Sequence, residues 1–294
     1  MDRPACLLVN PSAGGGKAAR VRSGVEAELT RLGIDFRTVL SESLEHAGTM
    51  AGEAARAGEA VVTLSGDGLI GHVVGVLRDV PDALLGVLPG GRGNDLARVL
   101  GIPLEPIPAC AVLAAGHVRD LDIGEVEGRS FIGIASLGFD SEANRIANEA
   151  PSRLGSLVYA YAALRALAGW KHATFTVELD GETRTVRGWS VAAANSKAYG
   201  GGMFVAPDAE LDDGLLDVVL SAESSKLKFL RVLPKVFKGE HVLEDNVSVV
   251  RAPSVRVSAD RPFTVYADGD PIGELPATIR AVPRALKVLC PPAS

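Results

Sequence analysis

Three glycine-rich segments of the chain have the composition of phosphate-binding loops. They are Asn10 to Gly16, with three consecutive glycines, then Ser65-Gly66-Asp67-Gly68, and then Pro89 to Asp95, which contains Arg92. Glycines let backbone N–H groups approach an anion closely, an arginine can bind phosphate, and a flanking carboxylate can face a metal ion or a hydroxyl. Two of the segments contain an acidic residue, so the three together predict a phosphate and magnesium site.

Each segment also has a simpler interpretation when it is considered alone. The first matches the dinucleotide-binding fingerprint weakly, with Asp35 roughly 20 residues further on, and it could equally be a turn without a ligand. It is not a P-loop, because alanine rather than Ser or Thr follows Lys17. Asp67 could form an ordinary Asp-Gly turn, and Asn94 or Asp95 could cap the helix that follows.

The elements around these segments predict a parallel sheet. Each segment follows a short apolar run and precedes a helical pattern. The apolar runs are Cys6–Val9, Val61–Leu64 and Leu84–Leu88, and the helical stretches reach about Leu32, Leu77 and Leu100. Short apolar runs that alternate with helices are typical of buried parallel strands, whose carboxyl ends bind ligands in open α/β sheets.

The second half of the chain has the pattern of an antiparallel β-domain, with many short predicted strands and few helices. Its predicted strands are Phe131–Ala135, Ala173–Leu179, Thr185–Ala194, Leu215–Ser221, Val247–Val250, Val255–Val257, Phe263–Ala267 and Ala277–Ala281, with helical stretches at Ser141–Trp170 and Ser225–Gly239. We therefore expect an α/β plus all-β protein: a doubly wound nucleotide-binding domain at 1–121 and a β-sandwich-like domain at 122–284. The run Leu286–Leu289 predicts that 285–294 rejoins the first domain.

Composition narrows the class of protein. Of 294 residues, 47% are hydrophobic and 22% charged, which excludes a disordered chain, and the net charge of −6 argues against general nucleic-acid binding. The three cysteines show neither a disulfide framework nor zinc spacing. A signal-peptide pattern and an apolar run of about 20 residues are both absent, so we expect a cytoplasmic enzyme without a transmembrane segment.

The ordered set of motifs resembles the diacylglycerol kinase catalytic family, which includes sphingosine, ceramide and bacterial lipid kinases. The resemblance covers nearly the whole chain. Its motifs are Asn10-Pro11 with the glycines, Ser65-Gly66-Asp67-Gly68, Gly91-x-Gly93-Asn94-Asp95-Leu96-Ala97-Arg98, Ala135 to Asp140, Asn195, Tyr199-Gly200-Gly201-Gly202, Ala206 to Asp217 and Asp268-Gly269-Asp270.

The resemblance implies a cleft between the two domains in which ATP and Mg²⁺ phosphorylate a lipid hydroxyl. In its terms Asp268 is the general base and Asp270 a supporting acid, while Asp67, Asp95 and Asp122 organise the catalytic magnesium. A second, structural magnesium would bind the Asp213 carboxylate and the main-chain carbonyls of Glu210 and Leu215. The nucleotide site would consist of Asn10, Pro11, Gly14, Ser41, Ser65, Gly66, Asp67, Gly68, Leu69, Gly71, Arg92 and Asn94.

Departures from the family pattern keep other functions open. Leu69 stands where many members have Thr, His72 where Glu is frequent, and Arg92 where a Thr is common. The lipid could be diacylglycerol, a sphingoid base or another lipid. A nucleotide-dependent oxidoreductase and an inactive nucleotide-binding regulator are the alternatives from other classes. On spacing alone, Asp268-Gly269 could be only a hairpin turn, and Asp212-Asp213-Gly214 a bare turn.

Two predictions concern partners. Phe229, Leu230, Leu233 and Phe237 alternate with lysines and Arg231 in a basic amphipathic stretch. Such a stretch either touches an anionic membrane or packs on the second domain with a solvated outer face. The resemblance also leaves open a homodimer and a peripheral position at the inner membrane face.

Overall fold

The first half of the chain builds a parallel sheet flanked by helices. The computed structural model describes residues 1, 3–150 and 158–292. Strands β1 and β3 pair in parallel, β2 and β4 flank them, and the sheet order is β2-β1-β3-β4. The elements are β1 (Ala5–Val9), α1 (Ala13–Arg31), β2 (Phe36–Leu40), α2 (Leu44–Arg56), β3 (Ala60–Ser65), α3 (Asp67–Leu77), β4 (Leu84–Pro89), α4 (Asp95–Val99) and α5 (Pro106–Ala115).

Antiparallel strands dominate the second half. They are β5 (Val118–Val126), β6 (Arg129–Phe131), β7 (Ile134–Gly138), β8 (Ala173–Leu179), β9 (Glu182–Ala194), β10 (Leu216–Ala222), β11 (Val247–Ala252), β12 (Ser254–Ala259), β13 (Thr264–Ala267), β14 (Asp270–Glu274) and β15 (Ala277–Leu289). The helices are α6 (Phe139–Glu149), α7 (Val158–Gly169) and α8 (Lys226–Val232), with 3-10 turns at Leu233–Lys238 and Glu240–Leu243.

Strand β9 is shared by two layers of this β-sandwich-like domain. Its first part pairs with β8, and its last part lies between β7 and β10. The switch occurs at Gly188, which pairs with both Ala173 and Ala222. A Cβ atom at Gly188 would lie 2.1 Å from the carbonyl oxygen of Ser221, so glycine is required where the strands approach this closely.

Strands β5 and β15 run from one domain into the other. The last part of β15 pairs in parallel with β4 through Lys287 and Val288, while its first part pairs with β12 in the second domain. Along its length β15 also pairs with β5, and the register shifts between Val282 and Leu286. Because the sheet is continuous here, a domain boundary at residue 121 divides a strand; it stays a prediction.

Two apolar cores support the site. In β1, β3 and β4 every residue is buried, as expected for strands covered by helices on both faces. The second core lies between the antiparallel layers, and beside it the rings of Phe139, Trp189 and Phe229 pack together, with the Trp189 and Phe229 centroids 4.1 Å apart. No helix among the described residues is long and apolar enough to cross a membrane.

The expected fold class is confirmed, with local differences. The strand predicted at Phe131–Ala135 is interrupted at residues 132 and 133, because the N–H groups there bind a side chain rather than a neighbouring strand. The helix predicted at Ser225–Gly239 becomes 3-10 after Val232, since Pro234 lacks an N–H group. The stretch predicted at Ser141–Trp170 contains α6 and α7, and its middle, 151–157, lies outside the described residues.

Helix α6 begins with a carboxylate in an apolar environment. Asp140 lines a small cavity with Trp189, Phe229 and His241. Burial raises the pKa of Asp140 to about 6, although a hydrogen bond from Ser190 opposes the shift. The folded protein therefore holds this proton at pH values where the unfolded chain has released it, and stability is lost as the pH rises from about 4 through 6.

We predict that Asp140→Asn stabilises the protein in a pH-dependent way. Relative to the wild type, its free energy of unfolding should rise by about 2–3 kcal/mol between pH 4 and pH 7.5, because asparagine carries no charge to bury. Urea unfolding at several pH values measures this difference. Asp180→Asn, at an exposed turn, is the control and should show no such trend. A difference that does not change with pH would contradict the prediction.

Candidate active site

The three glycine-rich segments meet at the carboxyl ends of β1, β3 and β4. A Cβ atom at Gly14 would lie 2.5 Å from the carbonyl oxygen of Gly90, and one at Gly91 would lie 2.4 Å from the Cα of Gly66. The N–H of Gly90 donates to the carbonyl of Ser65 at 2.7 Å. These contacts leave no room for side chains, so the glycines bring the three loops together as one surface.

Backbone N–H groups at this surface are available to an anion. Gly14, Gly15 and Gly16 all have left-handed conformations, and right-handed helix α1 continues only from Lys17. Helix α3 begins after Gly66, and its first-turn N–H groups have no partner within the helix. The positive end of the α3 dipole therefore points to the place where the loops converge, which favours a phosphate there.

The Asp67 side chain joins the second loop to the third. Its Oδ1 accepts hydrogen bonds from the N–H groups of Asp95 at 2.7 Å and Leu96 at 3.4 Å. Asp67 thus caps α4 from outside that helix. Asn94 makes no such bond, and its backbone is left-handed. Its side-chain oxygen accepts the N–H of Gly91, and its side-chain nitrogen donates to the carbonyl of Gly91. Neither residue that the sequence suggested as a cap fills that role.

Asp95 lies beside Asp67 with a carboxylate oxygen that has no hydrogen bond. Its Oδ2 accepts the N–H of Gly201 at 2.8 Å, whereas its Oδ1 is buried without a hydrogen bond, 3.8 Å from Nε of Arg98. A Cβ at Gly93 would lie 2.9 Å from Asp67 Oδ2 and 3.2 Å from Asp95 Oδ2. The two carboxylates therefore border one small space. Burial raises the pKa of Asp67, and the nearby charge of Asp95 raises it further.

Paired carboxylates with a free oxygen fit a hard divalent cation. The orphaned Oδ1 of Asp95 and the unbonded Oδ2 of Asp67 are oxygens of the type that Mg²⁺ prefers. The described residues contain no group of three or more candidate ligands. A pair of carboxylates is nevertheless enough for an ion that takes its other ligands from phosphate and water.

Asp268 is held by an arch of backbone N–H groups. Its Oδ2 accepts the N–H of Ile132 at 2.9 Å, its Oδ1 accepts that of Ile134 at 3.0 Å, and the N–H of Gly133 lies 3.1 Å from both oxygens. Asp268 itself has a left-handed backbone, with φ of 52°. Burial raises the pKa of Asp268, and the three N–H groups oppose that shift.

A cavity of about 370 Å³ connects Asp268 to Asp67. It lies between α3 and the turn joining β13 and β14, and both carboxylates line it together with exposed Asp270. Its other lining residues are Leu44, Gly68, Gly71, His72, Gly75, Val76, Arg78, Asp79, Gly128, Arg129, Ser130, Phe131, Ala267 and Ile272. The cavity thus brings together acidic residues from both halves of the chain.

The other residues predicted for the nucleotide site differ in their hydrogen bonds and in their exposure. The side-chain oxygen of Asn10 accepts the N–H of Ser12. The buried hydroxyl of Ser41 donates to the carbonyl of Val9. The hydroxyl of Ser65 is buried without a partner. Arg92 is exposed beside the third loop. Pro11 follows Asn10 at the end of β1.

Leu69 does not present its side chain to this surface. It is 3% exposed and belongs to the core of the first domain, so only its main chain can face a nucleotide. The family's frequent hydroxyl at this position has no counterpart in this chain, and the buried leucine instead anchors α3 to the sheet. Its predicted role in the nucleotide site is limited to its backbone.

The carboxylate of Asp122 is bound by backbone groups from the second half of the chain. Asp122 is 1% exposed, and its carboxylate accepts the N–H groups of Gly214 at 2.6 Å and Arg284 at 2.8 Å. The side chain of Asn195 donates to the carbonyls of Asp122 and Ile132, which links this region to the arch around Asp268. The contacts of Asp122 are those of a structural residue, and its role toward magnesium stays a prediction.

The predicted second metal site is occupied by protein groups. Asp213 accepts the N–H of Leu215 through Oδ1 and pairs with Arg251 through Oδ2. Arg251 also approaches Asp217 at 3.5 Å, and Glu210 is exposed. A cation at Asp213 would have to displace the Arg251 guanidinium, so this ion pair argues against a structural magnesium at Asp213.

Several residues of the site had no role predicted from the sequence. The arch at Ile132–Ile134 lay inside a predicted strand, and Gly201 was only part of a motif without an assigned role. Gly133 was the available signal, because a glycine inside a strand pattern often marks a close backbone approach. A Cβ there would lie 2.3 Å from Asp268 Oδ1. His72, which stands where the family frequently has Glu, is exposed and lines the cavity.

Comparisons with known proteins cover the whole chain. The profile of the diacylglycerol kinase catalytic domain matches residues 4–126, and that of the YegS C-terminal NAD kinase beta sandwich-like domain matches 133–290. A diacylglycerol kinase of Mycobacterium tuberculosis is 36% identical, with 97% of this chain and 94% of that protein aligned. One from Bacillus subtilis is 29% identical, with 97% and 95% aligned.

Solved structures show the same fold. A crystal structure of a Bacillus anthracis protein superposes with a TM-score of 0.83 at 21% identity, and 99% of each chain is covered. Another, of a diacylglycerol kinase from the same organism, has a TM-score of 0.77 at 19% identity, with 99% of this chain and 97% of that one covered. At these identities the likeness concerns the fold alone.

We predict that Gly133→Ala disables the site through Asp268. The new methyl group would force the carboxylate away from its backbone donors, and a displacement of about 1 Å in a catalytic group can cost 10²-fold in rate. The measurement is kcat with ATP and a lipid acceptor, alongside thermal unfolding. Gly169→Ala, where no atom lies within 4 Å of the added Cβ, is the matched control and should keep full activity. Near-normal turnover of Gly133→Ala would show that the arch is not needed.

Proposed function

Because the chain belongs to the diacylglycerol kinase family, we propose that it transfers the γ-phosphate of ATP to the free hydroxyl of diacylglycerol, forming phosphatidic acid. The observation that carries this proposal is the cavity that Asp268 lines together with Asp67 and Gly68 of the second glycine-rich loop. An acceptor hydroxyl in that cavity has a carboxylate on one side and the nucleotide loops on the other. The relatives' names support diacylglycerol as the acceptor.

Backbone N–H groups would hold the triphosphate. The N–H groups of Gly14 and Gly15 and those of the first turn of α3 would supply neutral donors, and exposed Arg92 adds a cation at the rim. In a chain with a net charge of −6, such local donors are needed to attract an anionic substrate. Phosphoryl transfer depends mainly on positioning and electrostatics, so rigid glycine loops suit this task.

Asp67 and Asp95 would hold a magnesium ion through Asp67 Oδ2 and Asp95 Oδ1. When bound, Mg²⁺ neutralises charge on the phosphates and helps to align them. The protein's own contribution is to keep both carboxylates in place: Asp67 through the N–H groups of α4, and Asp95 through Gly201. Each carboxylate thereby keeps one oxygen for the cation.

Asp268 would act as the general base. Three N–H groups bind its two oxygens, and the one from Gly133 is shared between them, so these three donors do not exhaust a carboxylate that can accept roughly four bonds. The remaining acceptor capacity would take the proton of the acceptor hydroxyl as its oxygen bonds to the γ-phosphorus. The bond from that phosphorus to the β–γ bridging oxygen breaks, and ADP leaves. Asp270 lies exposed in the same cavity and would orient the acceptor.

The reaction would take place at a membrane surface, with the protein bound peripherally on the cytoplasmic face of the inner membrane. Diacylglycerol resides in the bilayer, so an enzyme without a spanning helix among its described residues has to bind from outside. A sphingoid base carries an amine as well as a hydroxyl, and a lipid panel therefore separates the two acceptors.

The decisive experiment is turnover with γ-labelled ATP and micelles of diacylglycerol, sphingosine, ceramide or phosphatidylglycerol. Labelled phosphatidic acid from diacylglycerol, in a reaction that stops when Mg²⁺ is chelated, is the expected result. Label in another lipid would reassign the acceptor. ATP binding without turnover on any lipid would instead identify an inactive regulator.

We predict that Asp67→Asn abolishes turnover without unfolding the protein. Asparagine keeps an oxygen for the N–H groups of Asp95 and Leu96, but it removes the charge that would hold the cation. We expect kcat to fall by about 10²-fold or more. Without magnesium the melting temperature should not fall, because burial and Asp95 disfavour the charged form of Asp67. Activity close to that of the wild type would refute the assignment.

We predict different effects for the two acidic residues after β13. Asp268→Asn cannot accept a proton, and kcat should fall by about 10²–10⁴-fold while ATP binding is unchanged. Asp270→Asn should cost less, since exposed Asp270 only orients the acceptor. Steady-state kinetics on both variants, with ATP binding measured by calorimetry, tests the roles. A greater loss in Asp270→Asn would reverse them.

A further inference from the structure

The segment from Leu227 to Leu243 exposes more apolar surface than a soluble face normally does. Leu227 is 79% exposed, Leu230 41%, Phe237 53% and Leu243 84%. Leu243 and Leu227 are the two most exposed large apolar side chains in the part of the chain that the structure describes. Single exposed leucines are ordinary, but four within one short segment indicate an interaction site.

The inner face of this segment already has its partner. Phe229 of α8 stacks on Trp189, with ring centroids 4.1 Å apart, and contacts Phe139. Packing on the second domain therefore explains the inner side chains of the amphipathic stretch. It leaves Leu227 and Leu230, which project outward, without an explanation.

The charge of the segment is opposite to that of the whole protein. Five basic residues and one acidic residue lie between Lys226 and Leu243, in a chain of net charge −6. Lys228 and Lys235 pair with Glu244 or Asp245. Arg231 and Lys238 are exposed and have no ion pair with any residue described by the structure. The exposed leucines are thus flanked by two free cations.

One loop connects this segment to the candidate active site. The N–H of Phe204 donates to the carbonyl of Val236 at 2.9 Å, and the N–H of Gly201 donates to Asp95 Oδ2 at 2.8 Å. The two N–H groups belong to residues three positions apart in the chain, a span of at most about 11 Å. The loop therefore links Val236 of this segment to Asp95.

We propose that Leu227, Leu230, Phe237 and Leu243, together with Arg231 and Lys238, form a docking surface for an anionic lipid bilayer. Apolar side chains that enter the interface, with cations at the level of the headgroups, are the combination that anionic membranes bind. In a symmetric dimer this surface would meet its own free cations, whereas an anionic bilayer complements them. The proposal rests on the proposed function, because a lipid kinase must reach an acceptor that stays in the membrane.

Vesicle sedimentation tests the apolar part. Leu227→Ser/Leu243→Ser should bind phosphatidylglycerol vesicles about tenfold or more weakly than the wild type, because the two leucines that would enter the bilayer are lost. Leu104→Ser/Val118→Ser, at side chains 36% and 47% exposed on the first domain, is the matched control and should bind normally. Equal binding by all three proteins would overturn the proposal.

Charge reversal tests the cations. Arg231→Glu/Lys238→Glu should lose the preference for phosphatidylglycerol over phosphatidylcholine vesicles. Arg56→Glu/Arg256→Glu changes the net charge equally at two other exposed arginines and should keep that preference. If both double variants lose it to the same extent, only net charge matters and the surface is wrong.

Activity on two forms of the acceptor separates this proposal from the proposed function. The docking variants should phosphorylate monomeric dihexanoylglycerol like the wild type, yet lose activity on diacylglycerol in vesicles. If the wild type binds vesicles through this surface but phosphorylates no lipid, docking stands and the proposed function fails. If sedimentation velocity shows that the leucine variants break up a dimer while vesicle binding is unchanged, the surface is an interface between copies and the proposal is overturned.

Discussion

The buried carboxylate of Asp122 holds the point at which the two domains join. It lies on β5 and accepts the N–H of Arg284, where β15 bulges, and the N–H of Gly214. Beyond the bulge, β15 passes from its pairing with β12 to its pairing with β4. The angle between the domains, and with it the distance from Asp268 to the glycine loops, depends on this bend. A buried carboxylate is tolerated there because both its oxygens are bonded.

The site is built from carboxylates whose charge the fold only partly compensates. Asp67 and Asp268 both accept backbone N–H groups, yet burial raises the pKa of each. Asp95 adds negative charge, and one of its buried oxygens has no hydrogen bond. A cation between Asp67 and Asp95 would reduce this repulsion.

Close backbone approach is the second constraint on the site. Gly14, Gly66 and Gly91 stand where the glycine-rich loops touch one another, and Gly133 stands where the arch meets Asp268. A side chain at Gly14 or Gly91 would push the loops apart, and one at Gly133 would displace the Asp268 carboxylate. The segment from Leu227 to Leu243, by contrast, keeps several large apolar side chains exposed, and its Val236 carbonyl is bonded to the loop that contacts Asp95.

The sequence by itself determined the fold class and the order of strand, glycine-rich loop and helix in the first domain. Apolar runs followed by glycines and helices predict parallel strands whose loops meet at one edge, because each signal is local and lies within a few residues. The arch of Ile132–Ile134 around Asp268, the Asp67 cap of α4 and the pairing of Asp213 with Arg251 join residues far apart in the chain. No local pattern encodes such partners, so only the tertiary structure decided which carboxylates are free, which are capped and which are neutralised.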